Sequence, residues 1–408
     1  MIMSKKSICD KYEFDGAASP RLDGVMPVWD SISPQKDMVD AGFPRRCCMP
    51  SIFKFNDSVD FARAFSLDAR DVIVTSRSAF NPYFGEMGLS SRIVFLDAFD
   101  PSSSAELDTL YREVGGSSPG RVVGVGGGSV LAAAKLLGLK MTEGRAGTSF
   151  WHEDSLRKTV LVPAVCSAPG EMVNSVIVTR VGGGMKRLVH DDLYSDSVVL
   201  IPQLLEALNY VDVVSDSMTA FVRSAEAFFN PDAQPHLLCL AAKSIRMLCF
   251  AFRSIAVNGE FARIPFLGDF LVASNYAGTA FGNQTWSMID EFCVPFLRIA
   301  GGNAGRLRAE VLVAVLSTMA DGKLSGSLSG LFRTLSDSLD CGMRGAPESL
   351  GCLLNAVLPF APPGPVGFSR AVVERSVEAV RDGLERTGFL RGFDFGDGVI
   401  AEVFRTLL

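Results

Sequence analysis

Short apolar runs alternate with stretches of helical spacing through the first half of the chain. These runs are Asp71–Thr75, Arg92–Leu96, Val122–Val125, Thr159–Pro163, Val176–Thr179 and Val198–Ile201. Continuous apolar runs of this length, separated by helical segments such as the ones we predict at 58–65, 102–114 and 130–139, are typical of strands buried on both faces. They predict a mostly parallel sheet with helices on both sides.

After Pro202 the apolar positions follow helical spacing alone. The predicted helices are 204–208, 213–229, 235–254, 268–281, 287–297, 306–319, 327–337, 346–358, 369–387 and 398–408. Pro235 and Pro347 mark helix starts, because proline fits the first turn of a helix. The second half of the chain is therefore predicted to be all-helical.

These patterns divide the chain into three parts. Residues 1–48 are polar and Pro-containing without a sustained period, and we predict an arm there. Residues 49–203 are predicted to form an α/β nucleotide-binding domain with a mostly parallel sheet, and residues 204–408 an all-α domain. A functional site is expected in the cleft between two such domains.

A glycine-rich turn joins one predicted strand to the following helix. The stretch reads RVVGVGGGSVLAAAK over 121–135 and contains Gly126, Gly127, Gly128 and Ser129. Such a turn lets a ligand approach the backbone, and the free N–H groups of the helix start attract an anion, usually a diphosphate. The alternative is that the glycines only make a tight turn.

Composition narrows the function classes. The net charge is −6, without a basic block, which disfavours nucleic acid and anionic membranes as partners. No run of eighteen apolar residues is present, so no membrane span is predicted. The nine cysteines are odd in number and lack a C-x-x-C motif, which favours reduced thiols and a cytoplasmic protein.

Several short motifs, in order, resemble the iron-containing (group III) alcohol dehydrogenase family. The family's GGGS-x-x-D-x-x-K is matched by 126–129 and Lys135, although Ala132 replaces its aspartate. The family's P-T-T-A-G-T-G-S-E corresponds to PAVCSAPGE over 163–171, and E-A-Y to EAF from Glu226. The resemblance implies the dehydroquinate synthase-like fold of this family, a homodimer, and oxidation or reduction of alcohols or aldehydes with a dinucleotide.

The family's metal ligands, one Asp and three His, are the clearest departure. Aligned on Glu226, the ligand positions hold Thr219, Arg223, Asp290 and Ala304, or Asn303 with a shift of one residue. An arginine opposes a dication, and only Asp290 is a metal-binding residue type. We therefore expect no Fe or Zn here, the alternative being a shifted alignment.

The same resemblance suggests which residues contact the cofactor. The family's strand-end T-D, which binds the ribose of NAD, is Thr75-Ser76 here, followed by Arg77. Loss of the carboxylate and the nearby cation favour NADP over NAD, unless Arg77 is only a solvated loop residue. Cys166, in the altered loop, is expected to approach the nicotinamide.

Without a metal, another positive group must act on the substrate oxygen. Arg223 is our candidate electrophile and Asp290 its partner or a proton acceptor, and a charge pair between them is predicted. The alternative is a structural salt bridge that fills the vacated site.

The function predicted from these residues is a metal-independent NAD(P)-dependent dehydrogenase or reductase for a small alcohol, aldehyde or hydroxy acid. A substrate at a peptide end would also suit an arginine clamp. One alternative stays open: a catalytically inactive member that serves as a binding or scaffold subunit. A lyase or cyclase resembling dehydroquinate synthase gains no support, because that related fold also needs a metal.

Overall fold

The computed structural model divides into an α/β unit and a helical unit. Among the described residues, the α/β unit holds those between 50 and 207 apart from Cys166 and Ser167, which group with the helical unit from Leu208 onward. The residues that the structure describes are 50–96, 109–110, 113–114, 120–139, 157–167, 170–179, 185–189, 191–282, 287–293, 296, 303–322, 324, 326–360, 370–390 and 395–407. The predicted arm and most of the helix predicted at 102–114 lie outside these residues.

Eight strands are described in the α/β unit. They are β1 (Ser51–Lys54), β2 (Asp71–Thr75), β3 (Arg92–Phe95), β4 (Arg121–Gly126), β5 (Lys158–Pro163), β6 (Ser175–Thr179), β7 (Met185–Val189) and β8 (Ser197–Leu200). Six of them form one parallel sheet in the order β1-β8-β5-β4-β2-β3, as the apolar runs predicted.

Three helices of this unit have bounds among the described residues. They are α1 (Ser58–Ala64), α2 (Arg77–Phe84) and α3 (Gly128–Gly138). The Asp57 carboxylate caps α1 by accepting from the Asp60 amide at 2.8 Å. Alternate residues of β2 enter separate hydrophobic clusters, Val72 with Leu131 of α3 and Ile73 with Phe80 of α2. Both faces of the sheet are therefore buried, which explains its continuous apolar strands.

Three sequence expectations need correction. The run at 176–179 is a strand, but it pairs antiparallel with β7 in a separate two-stranded sheet and not in the parallel one. The helix predicted at 204–208 is instead a 3-10 turn at Pro202–Leu205, a form common in short connectors between elements. Strand β1 escaped prediction because all four of its residues are exposed and lack an apolar alternation.

The strand order reverses direction between β2 and β4. From β2 the chain moves outward to edge strand β3, and it then returns to the other side of β2 as β4, followed by β5 and β8. The carboxyl ends of β2 and β4 therefore lie side by side at the point of reversal, with Thr75 opposite Val125. Ligands of open α/β sheets bind at such a point.

The helical unit begins at α4. Its helices are α4 (Tyr210–Glu226), α5 (Pro235–Asn258), α6 (Leu267–Phe281), α7 (Met288–Cys293), α8 (Ala304–Met319), α9 (Gly326–Leu339), α10 (Ala346–Val357), α11 (Arg370–Thr387) and α12 (Asp397–Leu407). Among the described residues of this unit there is no strand, as predicted.

Helices α4 and α8 approach each other at backbone distance. A Cβ added to Gly305 would lie 1.7 Å from the Ser215 carbonyl oxygen, and the Gly305 amide donates to the Ser215 hydroxyl at 3.1 Å. Only glycine permits this separation, so Gly305 fixes where α8 crosses α4. Arg223 of α4 and Arg308 of α8 both contact Asp290 of α7.

Candidate functional site

The glycine turn lies at the reversal point of the parallel sheet. Strand β4 ends at Gly126, and α3 begins at Gly128 after Gly127, an extended N-cap without a side-chain hydrogen bond. A Cβ added to Gly128 would meet nothing within 4 Å, and Gly128 and Ser129 are both exposed. The helix start is therefore open and uncapped by a side chain, which is the arrangement that accepts a phosphate.

Close packing beneath the turn also depends on glycine. A Cβ on Gly124 would lie 2.6 Å from the Ala134 Cβ, so α3 sits directly on β4. At Gly126, φ is +158° and a Cβ would lie 2.9 Å from the Val130 Cβ. These contacts hold the first turn of α3 at the sheet edge and leave its N-terminus facing outward.

Ser76 and Arg77 follow the neighbouring strand β2. The Thr75 hydroxyl donates to the Val125 carbonyl at 2.8 Å, which ties the end of β2 to the glycine turn. The Ser76 hydroxyl caps α2 by accepting from the Ala79 amide at 3.3 Å. Arg77 is exposed, and its guanidinium lies 4.8 Å from the centre of the Phe95 ring. The structure thus brings both predicted cofactor residues beside the predicted phosphate site.

Lys135 lies on the buried face of α3. Its amine donates to the Val173 carbonyl and its charge is close to Glu171, so it does not reach the open side of the turn. The Glu171 side chain is buried, and its Oε2 atom has no hydrogen-bond partner in the described part of the chain. Burial raises the Glu171 pKa to about 7, although the Lys135 charge partly opposes this rise.

Cys166 belongs to the short segment that groups with the helical unit. Its thiol is buried and donates to the Val213 carbonyl of α4 at 3.5 Å. Burial, with a smaller contribution from the Asp216 charge, raises the Cys166 pKa well above its usual range. The thiol is therefore neutral at pH 7, which disfavours it as a nucleophile.

Asp216 is a functional candidate that the sequence did not reveal. It accepts hydrogen bonds from the Ser167 side chain and the Cys166 backbone, and burial raises its pKa to about 6. It precedes Thr219 by three residues and Arg223 by seven, so the three share one face of α4. The spacing of these three polar residues on one helix face is the sequence pattern that could have identified Asp216.

A buried network of charges surrounds Arg223. One of its terminal amino groups donates to Glu226 at 2.9 Å and to the Ser287 hydroxyl at 2.6 Å, and the other forms an ion pair with Asp290. The second Asp290 oxygen accepts from Arg308 Nε at 2.8 Å. The predicted Arg223–Asp290 pair is thus present, within a larger network of two cations and two carboxylates.

The charges of this network are mutually stabilised. Burial alone would raise the Asp290 pKa, but the Arg223 and Arg308 charges outweigh it and hold that pKa well below its usual range. Burial opposes protonation of Arg223, yet Asp290 and Glu226 raise its pKa above the ordinary value. Both ions of the pair are therefore charged at neutral pH.

The residues at the family's metal-ligand positions come together here, but they do not suit a divalent cation. The Thr219 hydroxyl donates to the Ser215 carbonyl at 3.4 Å, and Ala304 offers no side-chain donor atom. Arg223, a cation, occupies another of the four ligand positions. Both carboxylate oxygens of Asp290 accept hydrogen bonds from arginines. Within the described ranges, no three His, Cys, Asp or Glu side chains converge on one point.

Comparison with known proteins agrees with the fold. The family model for iron-containing alcohol dehydrogenases matches residues 57–202. The 4-hydroxybutyrate dehydrogenase of Clostridium kluyveri is 26% identical over 348 residues, which cover 83% of this chain and 92% of that protein. The sulfoacetaldehyde reductase of Bilophila wadsworthia is 29% identical over 168 residues, which cover 40% of this chain and 43% of the relative.

Solved structures share the architecture at low identity. The crystal structure of sulfoacetaldehyde reductase from Bifidobacterium kashiwanohense in complex with NAD+ has a TM-score of 0.75 and 15% identity. The match covers 90% of this chain and 99% of that one. At this identity the similarity establishes the fold, and the chemistry must be argued from the residues of this chain.

Proposed function

Because this chain belongs to the iron-containing alcohol dehydrogenase family, we propose that it is a nicotinamide-dependent oxidoreductase acting on the CH–OH group of a short hydroxy acid. The 4-hydroxybutyrate dehydrogenase that is similar over most of both chains supports a substrate of this class. The observation that carries the proposal is the open, glycine-lined start of α3 at the point where the strand order reverses.

The dinucleotide would be held at this sheet edge. The backbone amides of Gly128 and Ser129 face the open side of the helix start and would bind its diphosphate. Ser76 and Arg77 end the adjacent strand and would contact its adenosine ribose. The nicotinamide supplies hydride transfer when it is bound.

The identity of the dinucleotide is a finer proposal. NAD(H) is bound by a protein of the same fold, and this supports a nicotinamide cofactor in general. Ser76 takes the place of an aspartate that would repel a 2′-phosphate, and the exposed Arg77 offers a cation beside it. We therefore propose that NADPH binds at least as well as NADH.

We further propose that the reaction proceeds without a bound metal. We place Arg223 and Asp290 at former ligand positions, where their network holds fixed guanidinium groups in the region that a family member would use for its cation. A preorganised guanidinium stabilises negative charge on a substrate oxygen without reorganising water. The homodimer and the site between the two units stay predictions.

The decisive experiment measures binding and turnover in metal-free protein. Purified protein is treated with a strong chelator, analysed for Fe and Zn, and titrated with NADH and NADPH by fluorescence. It is then assayed with 4-hydroxybutyrate and each oxidised cofactor. We expect saturable cofactor binding and chelator-resistant turnover.

Two results would contradict parts of this proposal. Absence of saturable binding of either cofactor would contradict the oxidoreductase and favour the inactive scaffold. Stoichiometric metal, with activity that disappears on its removal, would contradict metal independence and would show that the ligand alignment is shifted.

A further inference from the structure

Arg308 differs from Arg223 in how many of its guanidinium N–H groups have hydrogen-bond partners. Arg223 contacts Glu226, Ser287 and Asp290 with its terminal amino groups. Arg308 contacts Asp290 through Nε alone, and within the described part of the chain its two terminal amino groups have no hydrogen-bond partner. Its side chain is 19% exposed, so these donors reach open space.

The position of Arg308 is fixed from two directions. It lies one turn after Ala304 on α8, so the two residues share a helix face. The 2.8 Å bond from Nε to Asp290 fixes one edge of the planar guanidinium, while its two terminal amino groups have no hydrogen-bond partner in the described part of the chain. The free donors therefore lie beside two of the former ligand positions.

The formal charges of the network are balanced. Arg223 and Arg308 carry two positive charges, and Glu226 and Asp290 carry two negative ones when both are ionised. Burial raises the Glu226 pKa, and the Arg223 charge opposes that rise. One divalent cation between the same two carboxylates would give the same sum. The two guanidinium groups thus carry the same formal charge as one divalent cation. Of the two, Arg308 has terminal amino groups without a hydrogen-bond partner in the described part of the chain.

We propose that Arg308 is a catalytic residue whose terminal amino groups donate hydrogen bonds to the reacting oxygen of the substrate. This inference rests on the proposed oxidoreductase activity. In alcohol oxidation, the carbon loses hydride to the oxidised nicotinamide, the hydroxyl proton passes to water, and the C=O bond forms. Negative charge develops on the oxygen during this step, and the Arg308 donors stabilise it.

The charges around this position bear on the assignment. Burial raises the pKa of Asp216 on α4 and the Arg308 charge only partly opposes that rise, while Asp290 on α7 accepts from Arg308 directly. Arg223 balances Asp290 from the other side. Arg308 is thereby oriented by its bond to Asp290, and its two terminal amino groups are left for the substrate oxygen.

The test combines truncation with chemical rescue. The Arg308→Ala variant is assayed with 4-hydroxybutyrate and with butan-1-ol, with and without added guanidinium chloride. We expect kcat to fall about 100-fold for both substrates, as when one oxyanion donor is removed, and to recover partly with guanidinium. The matched control is Arg333→Ala, an exposed arginine of α9, which should keep kcat unchanged.

A second measurement uses the unaltered protein and does not depend on folding of a variant. Phenylglyoxal attacks accessible guanidinium groups, and mass spectrometry identifies the modified residue. We expect Arg308 to be modified faster than Arg223, and to be protected when NAD and 4-hydroxybutyrate are both present.

Several outcomes would overturn the assignment. A variant kcat within twofold of the parent, failure of guanidinium to rescue, or labelling that is not reduced by cofactor and substrate would each do so. A rise in KM alone, seen with the hydroxy acid and not with butan-1-ol, would place Arg308 on the carboxylate instead. Absence of turnover in the parent protein would contradict the proposed function, and the labelling experiment would still decide whether Arg308 is accessible.

Discussion

The two regions that the family motifs mark in this chain have diverged to different degrees. At the sheet edge, Gly126–Ser129 keep both the residue types and an open helix start. In the helical unit, the proposed alignment puts Thr219, Arg223 and Ala304 where the family has ligands, although α4 and α8 cross in backbone contact at Gly305. The first region binds through backbone amides and the second through side chains. Backbone binding survives substitution as long as the glycines remain, whereas a metal site is lost with its ligands.

The largest expected effect concerns the replaced region, where the network should be needed for stability. Arg223→Met removes the cation between Asp290 and Glu226, so the buried Glu226 carboxylate loses the Arg223 charge while Asp290 keeps its bond from Arg308. Breaking a buried pair from one side costs about 3–5 kcal/mol, and we expect a loss of that size in the free energy of unfolding. Urea denaturation measures it.

The control for this prediction is an exposed ion pair. Arg63 contacts Asp60 at 3.3 Å, with the Arg63 side chain 76% exposed, so Arg63→Met should change stability by less than about 1 kcal/mol. If the two variants lose equal stability, the network does not stabilise the helical unit. In that case the Arg223 network would have no structural role at the aligned ligand positions.

A pH-dependent effect on stability is expected from Glu171, the last residue of the motif at 163–171. Burial raises the Glu171 pKa from 4.5 to about 7, so the folded state disfavours the charged carboxylate. The penalty is absent below pH 4.5, grows between about pH 4.5 and 7, and is complete above that range. Glu171→Gln should therefore raise the free energy of unfolding at pH 8 by about 3 kcal/mol, and change it little at pH 4.

Urea denaturation at both pH values tests this sign. Glu86→Gln, an exposed substitution in the same unit, should show no such difference between the two pH values. A Glu171→Gln variant that is less stable at pH 8 would mean that the carboxylate is held by the Lys135 charge, contrary to the direction of its pKa shift.

Local patterns predicted the fold well, and contacts between distant segments account for what they missed. The apolar runs gave all but one strand of the parallel sheet, because buried parallel strands are continuously apolar. The turn at Gly126–Ser129 is visible because its chemistry lies in adjacent residues. Arg308 and Asp216 were not foreseen, because their partners lie on other elements and only the packing of α4 and α8 unites them. The Arg223–Asp290 pair was foreseen only through the family alignment.

A third prediction adds a charge to the retained turn. Gly128→Asp places a carboxylate in open space at the start of α3, where it would oppose a bound diphosphate. We expect the Kd for NADH to rise about tenfold, equivalent to about 1.4 kcal/mol. Gly398→Asp makes the same change at the open start of α12 and should leave the Kd unchanged. Equal affinities for both variants would show that the glycine turn does not hold the diphosphate.

The smallest expected effect distinguishes the two cofactors at the neighbouring strand end. Arg77→Gln removes the exposed cation of α2 without altering the Ser76 cap. The Kd for NADPH should rise about fivefold, or about 1 kcal/mol, while the Kd for NADH stays constant, because only NADPH carries a 2′-phosphate. Ser76→Asp should act in the same direction by repulsion, and Arg63→Gln is the neutral control. If the Kd for NADPH is unchanged in both variants, neither Ser76 nor Arg77 contacts the 2′-phosphate. Cofactor binding in this region would then depend on the backbone turn at Gly126–Ser129 alone.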